Sequence, residues 1–377
     1  MRIPMFDHQA HFRRDQKEIE AAVLEVLESG KLIMGPAVRA FEEEFAAYSQ
    51  ARYAVGVASG TSAIHLALRA LGIGPGDEVI TVANSDIPTS QAVTLTGAKV
   101  VWVDIDKESY NMDPDALPAA LSPATKALLP VHLYGVPAEM SPILQFAEAN
   151  GLSVVEDAAL ATGARYRGQR IGSLGTLTAF STAPGKMLDG VGSGGMISTD
   201  SEILYDKLNS LRHYGRERPP YRDLPADTAK WPSKTVEIGY NERLDTLDAA
   251  VLRIRLRRLD ETLTRRREIA KRYQDLLEGD VGLQRPPQDA EAVWRVFTVR
   301  IPDRDRIFEA MYRQGIGVSL AYLPPNHLDE CYHHLGYRKG SLPETEAFAD
   351  ELLALPCHPY MTDSQVEEVA ESLLALL

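Results

Sequence analysis

Lys186 ends the stretch Thr178-Ala179-Phe180-Ser181-Thr182-Ala183-Pro184-Gly185-Lys186, and Gly190, Gly192, Gly194 and Gly195 follow closely. An apolar strand thus runs into a tight turn, presents one amine and meets a glycine-rich segment. Burial in such a place lowers an amine's pKa and keeps it nucleophilic toward a carbonyl carbon. Taken alone, the same lysine suits a solvated loop. Two other groups of residues change that balance. Ala58-Ser59-Gly60-Thr61-Ser62-Ala63 lies between a strand-like and a helix-like segment. Gly60 permits close backbone approach, a first helical turn leaves N–H groups unpaired, and Thr61 and Ser62 add hydroxyls, so the turn suits a phosphate. It suits an ordinary N-cap equally. Ser153-Val154-Val155-Glu156-Asp157 then puts an acid at the carboxyl end of a buried strand, where open α/β sheets bind ligands. Asp157 can pair there with a protonated ring nitrogen, and a plain strand-end cap is the competing reading.

Two nucleotide motifs are excluded. A P-loop needs a glycine where Phe180 stands and a hydroxyl where Met187 stands. Gly72, Gly74 and Gly76 precede a strand instead of opening a helix, so they form no dinucleotide fingerprint. An anion cradle, a strand-end acid and a buried amine, in that order, match the three handles of pyridoxal 5'-phosphate: its phosphate, ring nitrogen and aldehyde.

The elements that must position these groups alternate in type. Asp15 to Leu27 carries a helical stripe ended by Gly30, and Pro36 opens a second helix. Tyr53–Ala58, Glu78–Val82, Val100–Val103, Ala127–His132 and Leu152–Glu156 read as short buried strands, with helices between most of them. Helical stretches are expected over Glu202–His213 and Asp245–Leu277, and a capping box at Thr362 and Gln365 before a final helix. The fold class expected is α/β: a large domain, residues 1–244, with a mainly parallel sheet flanked by helices, and a smaller α+β domain, residues 245–377. Gly215 to Lys234, rich in proline, reads as a mobile loop near a site or interface.

A chain of 377 residues suits about two domains. Its net charge of −13 argues against a nucleic-acid or anionic-membrane surface. Cys331 and Cys357 lie near no metal-ligand cluster and read as buried apolar residues of a reduced, cytoplasmic protein. The amino-terminal residues lack the apolar core of a signal peptide, and no apolar run approaches the ~18 residues of a membrane helix.

Over nearly its whole length the chain resembles the aspartate-aminotransferase-like (fold type I) enzymes. Within them it resembles the DegT/DnrJ/EryC1/StrS aminotransferases, which place amino groups on nucleotide-linked keto sugars. The resemblance rests on SGKLIMGPAVRAFEEEFAAY, VASGTSAIHLALRALGIGPGDEVIT, PVHLYGVPAEM, VVEDAALATGARYRG, FSTAPGKML, EIGYNERLDTLDAAVLR and the tail from LPPNHLDECYHHLGY to LALPCHPYMTDSQV. It implies that Lys186 is the Schiff-base and proton-transfer residue and that Asp157 pairs with the pyridinium nitrogen. Gly60, Thr61, Ser62 and Ser181 would hold the phosphate. Asn241 would reach a neighbouring subunit's phosphate, which implies a homodimer with shared active sites. Tyr134, Tyr322 and His327 fall in stretches that line the sugar site; a packed core tyrosine and a loop histidine are the competing readings for Tyr134 and His327.

The resemblance further implies a ping-pong reaction with glutamate as donor and a keto sugar as acceptor, in amino-sugar biosynthesis. Three positions depart from the family pattern. Leu160 stands where a glutamine touches the ring hydroxyl, Asp86 where an aromatic stacks on the ring, and Ser193 where an acid often lies. Asp86 is positioned to contact an amino or hydroxyl group of the substrate instead. Transamination of a cyclitol or other carbocyclic ketone, and a non-catalytic regulatory homologue that retains the cofactor site, stay open. Relatives that dehydrate deoxy sugars carry histidine in place of the lysine, so Lys186 argues against that chemistry.

Overall fold

Four- and five-residue apolar strands form the spine of the protein. The computed structural model describes residues 1–217 and 234–377, so most of the expected loop from Gly215 to Lys234 lies outside the described residues. In chain order the first strands are β1 (Tyr53–Val57), β2 (Glu78–Val82), β3 (Lys99–Val103), β4 (Thr125–Leu128) and β5 (Ser153–Asp157). A short ribbon, β6 (Arg165–Tyr166) and β7 (Gln169–Arg170), precedes β8 (Leu177–Ser181) and β9 (Gly195–Thr199). The carboxyl-terminal part adds β10 (Gly282–Leu283), β11 (Ala290–Glu291), β12 (Phe297–Arg300) and β13 (Leu352–Leu355).

The helices are α1 (His8–Ser29), α2 (Pro36–Ser49), α3 (Gly60–Ala70), α4 (Ile87–Leu95), α5 (Leu117–Ala120), α6 (Met140–Asn150), α7 (Glu202–Leu211), α8 (Thr246–Leu256), α9 (Leu259–Leu277), α10 (Arg304–Arg313), α11 (Pro343–Glu351) and α12 (Asp363–Leu374).

The main sheet has seven strands in the order β1-β9-β8-β5-β4-β2-β3. The run from β8 through β5, β4 and β2 to β3 is parallel. β9 is antiparallel to both β1 and β8. Side chains alternate across the strands, as a period of two requires. Ile80, Leu128, Val154 and Phe180 face one apolar cluster with α2, α6 and α8. Val79, Ala127, Val155 and Ala179 face another with α3, α4 and α7. Helices on both faces explain why these strands read as nearly continuous apolar runs.

A second core joins β10, β12 and β13 to α9, α10 and α12. Two segments cross the division expected at 244/245. Ile3 packs in this second core and bridges to Ile316, while Ala249, Leu252 and Leu256 of α8 pack under the main sheet. The helical stretch expected over Asp245–Leu277 consists of two helices. Arg258 leaves helical geometry (φ −110°), and α9 turns away to bury Ile269, Tyr273 and Leu277 in the second core.

Helix α1 begins earlier than its apolar stripe, because Asp7 accepts the Ala10 amide (2.8 Å). The capping box at Thr362 and Gln365 is formed. Cys357 is buried, but Cys331 is exposed on a 3-10 turn, which corrects the expectation that both are interior. Among the described residues no helix is long and apolar enough to cross a membrane.

Candidate active site

Parallel strands deliver their carboxyl ends to one sheet edge, and there the candidate residues meet. Ser59 caps α3, its Oγ accepting the Ser62 amide (3.0 Å). The amides of Gly60 and Thr61 remain the open donors of that helix end, and both residues line a cavity of about 270 Å³. β5 brings Asp157 to the same cavity, β8 brings Ser181 and, after its turn, Lys186, and the segment after β2 brings Ser85, Asp86 and Thr89. Close approach needs glycine at two points. A Cβ on Gly60 would lie 2.7 Å from the Ser181 Cβ, and one on Gly195 would lie 2.4 Å from the Ser59 carbonyl oxygen.

The lysine turn is held from below. Thr182 donates its amide to Gly194 (2.8 Å), Gly190 to Thr182 (2.6 Å) and Lys186 to Ala183 (3.1 Å). The buried Asp189 carboxylate accepts the Gly185 amide (3.3 Å) and pairs with His11 (3.1 Å) and Arg255 (3.3 Å). These partners outweigh burial and hold the Asp189 carboxyl below its ordinary range. Asp248 accepts the Val191 amide (2.7 Å). It packs so closely on the glycine segment that a Cβ at Gly190 would fall 2.1 Å from its carboxylate. The glycines thus let a loop fold onto a buried acid.

Burial lowers the Lys186 amine to about 8. The Arg295 cation adds to the effect, and Asp157 and Asp86 oppose it. Asp157 is also buried, and burial pushes its carboxyl up against the Thr89 hydroxyl, the Ala159 amide and the Lys186 charge. Its Oδ2 accepts from Thr89 (2.7 Å) and its Oδ1 from the Ala159 amide (3.1 Å). The preceding residue is locked separately. His132 Nδ1 accepts the Ala138 amide (3.0 Å), so Nε2 carries the proton that faces Glu156 (2.9 Å). Glu156 also accepts from Gly175 (2.8 Å) and Thr178 (2.7 Å).

These residues fit pyridoxal phosphate. Asp157 is a desolvated carboxyl bonded by a hydroxyl and an amide, an environment that a cationic ring nitrogen completes. Position 60 must be bare to bring open amides against Ser181. Lys186 supplies a low-pKa amine in the same cavity.

A family model described as the DegT/DnrJ/EryC1/StrS aminotransferase family matches residues 13–374. The chain belongs to that family. It is 42% identical over 373 residues to the dTDP-3-amino-3,4,6-trideoxy-alpha-D-glucose transaminase of Streptomyces venezuelae, covering 98% of this chain and 95% of that one. It is 39% identical over 377 residues to a Geobacillus stearothermophilus protein named pleiotropic regulatory protein, covering 99% and 98%. The solved structure of DesV from S. venezuelae is similar with a TM-score of 0.93 at 40% identity, covering 99% of this chain and 98% of that one. This DegT/DnrJ/EryC1/StrS member is a PLP-dependent aminotransferase with the aspartate-aminotransferase-like fold, and solved structures of that fold hold PLP or PMP.

Of the residues singled out from sequence, Gly60, Thr61, Asp86, Asp157, Ser181, Lys186 and Tyr322 line the cavity, as do Leu160 and Ser193. Ser62 does not: its hydroxyl donates to Glu242 (2.5 Å). Asn241 is exposed and bridges His213 through the backbone. Tyr134 is fully buried behind the cavity, stacked on Tyr322 at 6.0 Å, with its hydroxyl donating to the Ala321 carbonyl (2.8 Å). His327 is buried away from the cavity and pairs with Glu346 (3.1 Å). Both of the latter are packed side chains.

Sequence reading missed Thr89 and Arg295. Thr89 sits four residues after Ser85, the spacing that lets their hydroxyls meet (2.7 Å). Arg295 interrupts the apolar run from Ala292 to Val299, a signal legible in the sequence.

Proposed function

We propose that this aminotransferase transfers an amino group from glutamate to a nucleotide-linked keto sugar in two alternating half-reactions. The observation that carries the reading is the convergence of Lys186, Asp157 and the Gly60–Thr61 helix end on one cavity. That cavity shares Ser85, Asp86 and Tyr322 with a wider cleft of about 530 Å³, room for a sugar. The S. venezuelae relative, whose name gives a dTDP-amino sugar, supports that substrate class. So does a 38% identical relative from Acidithiobacillus ferrooxidans, whose name gives a UDP-linked one.

Pyridoxal phosphate supplies the electron sink and the carbonyl carbon that carries nitrogen between donor and acceptor. The chain does the rest. Lys186 Nζ, half of it uncharged at pH near 8, would take in that form a proton from the carbon bearing the amino group and pass it to the carbon at the other end of the transfer. Asp157 holds the ring-nitrogen proton, and Thr89 fixes the carboxylate that does so. The amides of Gly60 and Thr61 and the Ser181 hydroxyl hold the phosphate. Asn241, exposed on one chain, reaches the phosphate site of a second copy in a homodimer.

A cyclitol ketone as acceptor is the second reading. Leu160 and Asp86 line the cavity, where the family pattern has ring contacts of another kind, and Asp86 also lines the outer cleft. A regulatory role without turnover is the third, and the Geobacillus relative's name bears on it. Purified holoprotein separates the three. A visible band that shifts on adding glutamate and recovers on adding nucleotide-linked keto sugars supports the proposal. Recovery with cyclitol ketones alone supports the second reading, and a band inert to every amino donor supports the third.

A further inference from the structure

The wide cleft is lined by one arginine, Arg295, and two acids, Asp86 and Asp329. Arg295 is half-buried, and its Nε donates to the Gly185 carbonyl (3.1 Å). Its guanidinium lies over the Phe6 ring at 4.8 Å. Among the described residues its two terminal nitrogens make no hydrogen bond and no ion pair. Arg170 and Arg300, by contrast, close on acids: Arg170 on Asp260 (2.9 Å), and Arg300 on Glu344 (2.6 Å) and Glu351 (2.7 Å). Arg295 is therefore oriented but not neutralised, on the floor of a cleft of about 530 Å³.

Asp86 lines that cleft and the inner cavity together. It caps α4 through Oδ1, which accepts the Ile87 amide (2.9 Å), and it pairs with no cation among the described residues. The two opposite charges do not close on each other, so they form a dipolar pair open to a ligand.

We propose that Arg295 and Asp86 bind the amino donor as a zwitterion, Arg295 taking its α-carboxylate and Asp86 its ammonium group. This rests on the reading that the donor is an α-amino acid. The covalent geometry of the two substrates decides the assignment. In an α-amino acid the carboxylate is one bond from the carbon that bears nitrogen. An anchor joined to Gly185, the neighbour of Lys186, therefore sets that carbon beside the amine. The diphosphate of a nucleotide sugar hangs from the anomeric carbon, several bonds from any ring carbonyl, and belongs farther out in the cleft. A guanidinium fork suits a carboxylate, and against the chain's net charge of −13 a local cation favours entry of an anion.

The test uses holoenzyme and two ligands that separate the charges. Alpha-methylglutamate keeps both groups but has no proton to lose, so calorimetry reads its binding without turnover; 2-oxoglutarate lacks the ammonium. Arg295→Gln is expected to weaken both by roughly 10- to 100-fold, the loss of a charged pair of hydrogen bonds, with Arg295→Lys recovering part of the loss. Asp86→Asn is expected to weaken alpha-methylglutamate while leaving 2-oxoglutarate unchanged. Half-saturation by the nucleotide-linked keto sugar should not move in Arg295→Gln. If the variants bind both probes as the parent does, the assignment is overturned. It is equally overturned if Arg295→Gln instead raises half-saturation by the keto sugar, which would give the guanidinium to the diphosphate. If the parent holoenzyme binds no amino acid and its band ignores glutamate, the aminotransferase reading of the donor falls first and this inference with it.

Discussion

The inner cavity and the outer cleft are built in opposite ways. The cavity takes Gly60, Asp157, Ser181 and Lys186 from positions at or just beyond the ends of strands in one sheet. The cleft takes Phe6, Asp86, Arg295 and Tyr322 from four segments remote in sequence. Strand ends are placed by backbone pairing, which tolerates little variation. The cleft depends on how the second core docks its loops against α4. Cofactor chemistry thus rests on the rigid part, and substrate choice on the part assembled by packing.

The hardest blow to the cavity is Lys186→Met. Transamination is expected to fall by about 10⁴-fold or more, read as turnover with saturating donor and acceptor. The apoprotein should move the other way. The lysine's folded pKa, about 8, lies below its ordinary 10.5, so stability rises with pH between those values. Below that window the fold carries a buried cation. Removing it should stabilise the apoprotein at pH 7 by up to about 3 kcal/mol, measured by denaturant unfolding. Loss of both activity and stability would mean that the lysine is structural.

Asp157→Asn should lower turnover by about 100-fold and leave the far-ultraviolet spectrum unchanged, because the amide oxygen still accepts from Thr89 and only the bond from the Ala159 amide is lost. Gly60→Ala should weaken cofactor affinity by about 10-fold and cost about 1–3 kcal/mol, since the new methyl meets Ser181 Cβ at 2.7 Å. Equilibrium dialysis and thermal melts check the two effects.

A pH titration tests how far the cleft reaches into the cavity. Acylation of Lys186 in the apoprotein should rise with pH and be half-maximal near 8. Asp86→Asn removes a charge that favours the cation, so the midpoint should fall; an unmoved midpoint would separate the two regions. Smallest of all, Tyr134→Phe loses the bond to the Ala321 carbonyl. It should cost about 1 kcal/mol and change acceptor half-saturation a few-fold, with the visible band unaltered. A changed band would place Tyr134 in the cavity's half of the comparison.

The amino-acid sequence by itself determined the strands that lead to Asp157 and Ser181, a helix beginning near Thr61 and the glycine segment after Lys186. Each is a local choice: apolar runs, a capping serine, bare positions where backbone must pass. It also marked Leu160 and Asp86 as unusual. Tertiary structure alone decided that Ser62 turns to Glu242, that Tyr134 and His327 are packed interior side chains, and that Cys331 is exposed. It alone set Thr89 on Asp157 and Arg295 beside Gly185. The physical reason is sequence distance. Thr89 and Asp157 are 68 residues apart, and Gly185 and Arg295 110. No local propensity encodes such a pairing; it exists only once sheet order and the docking of the second core bring the segments together.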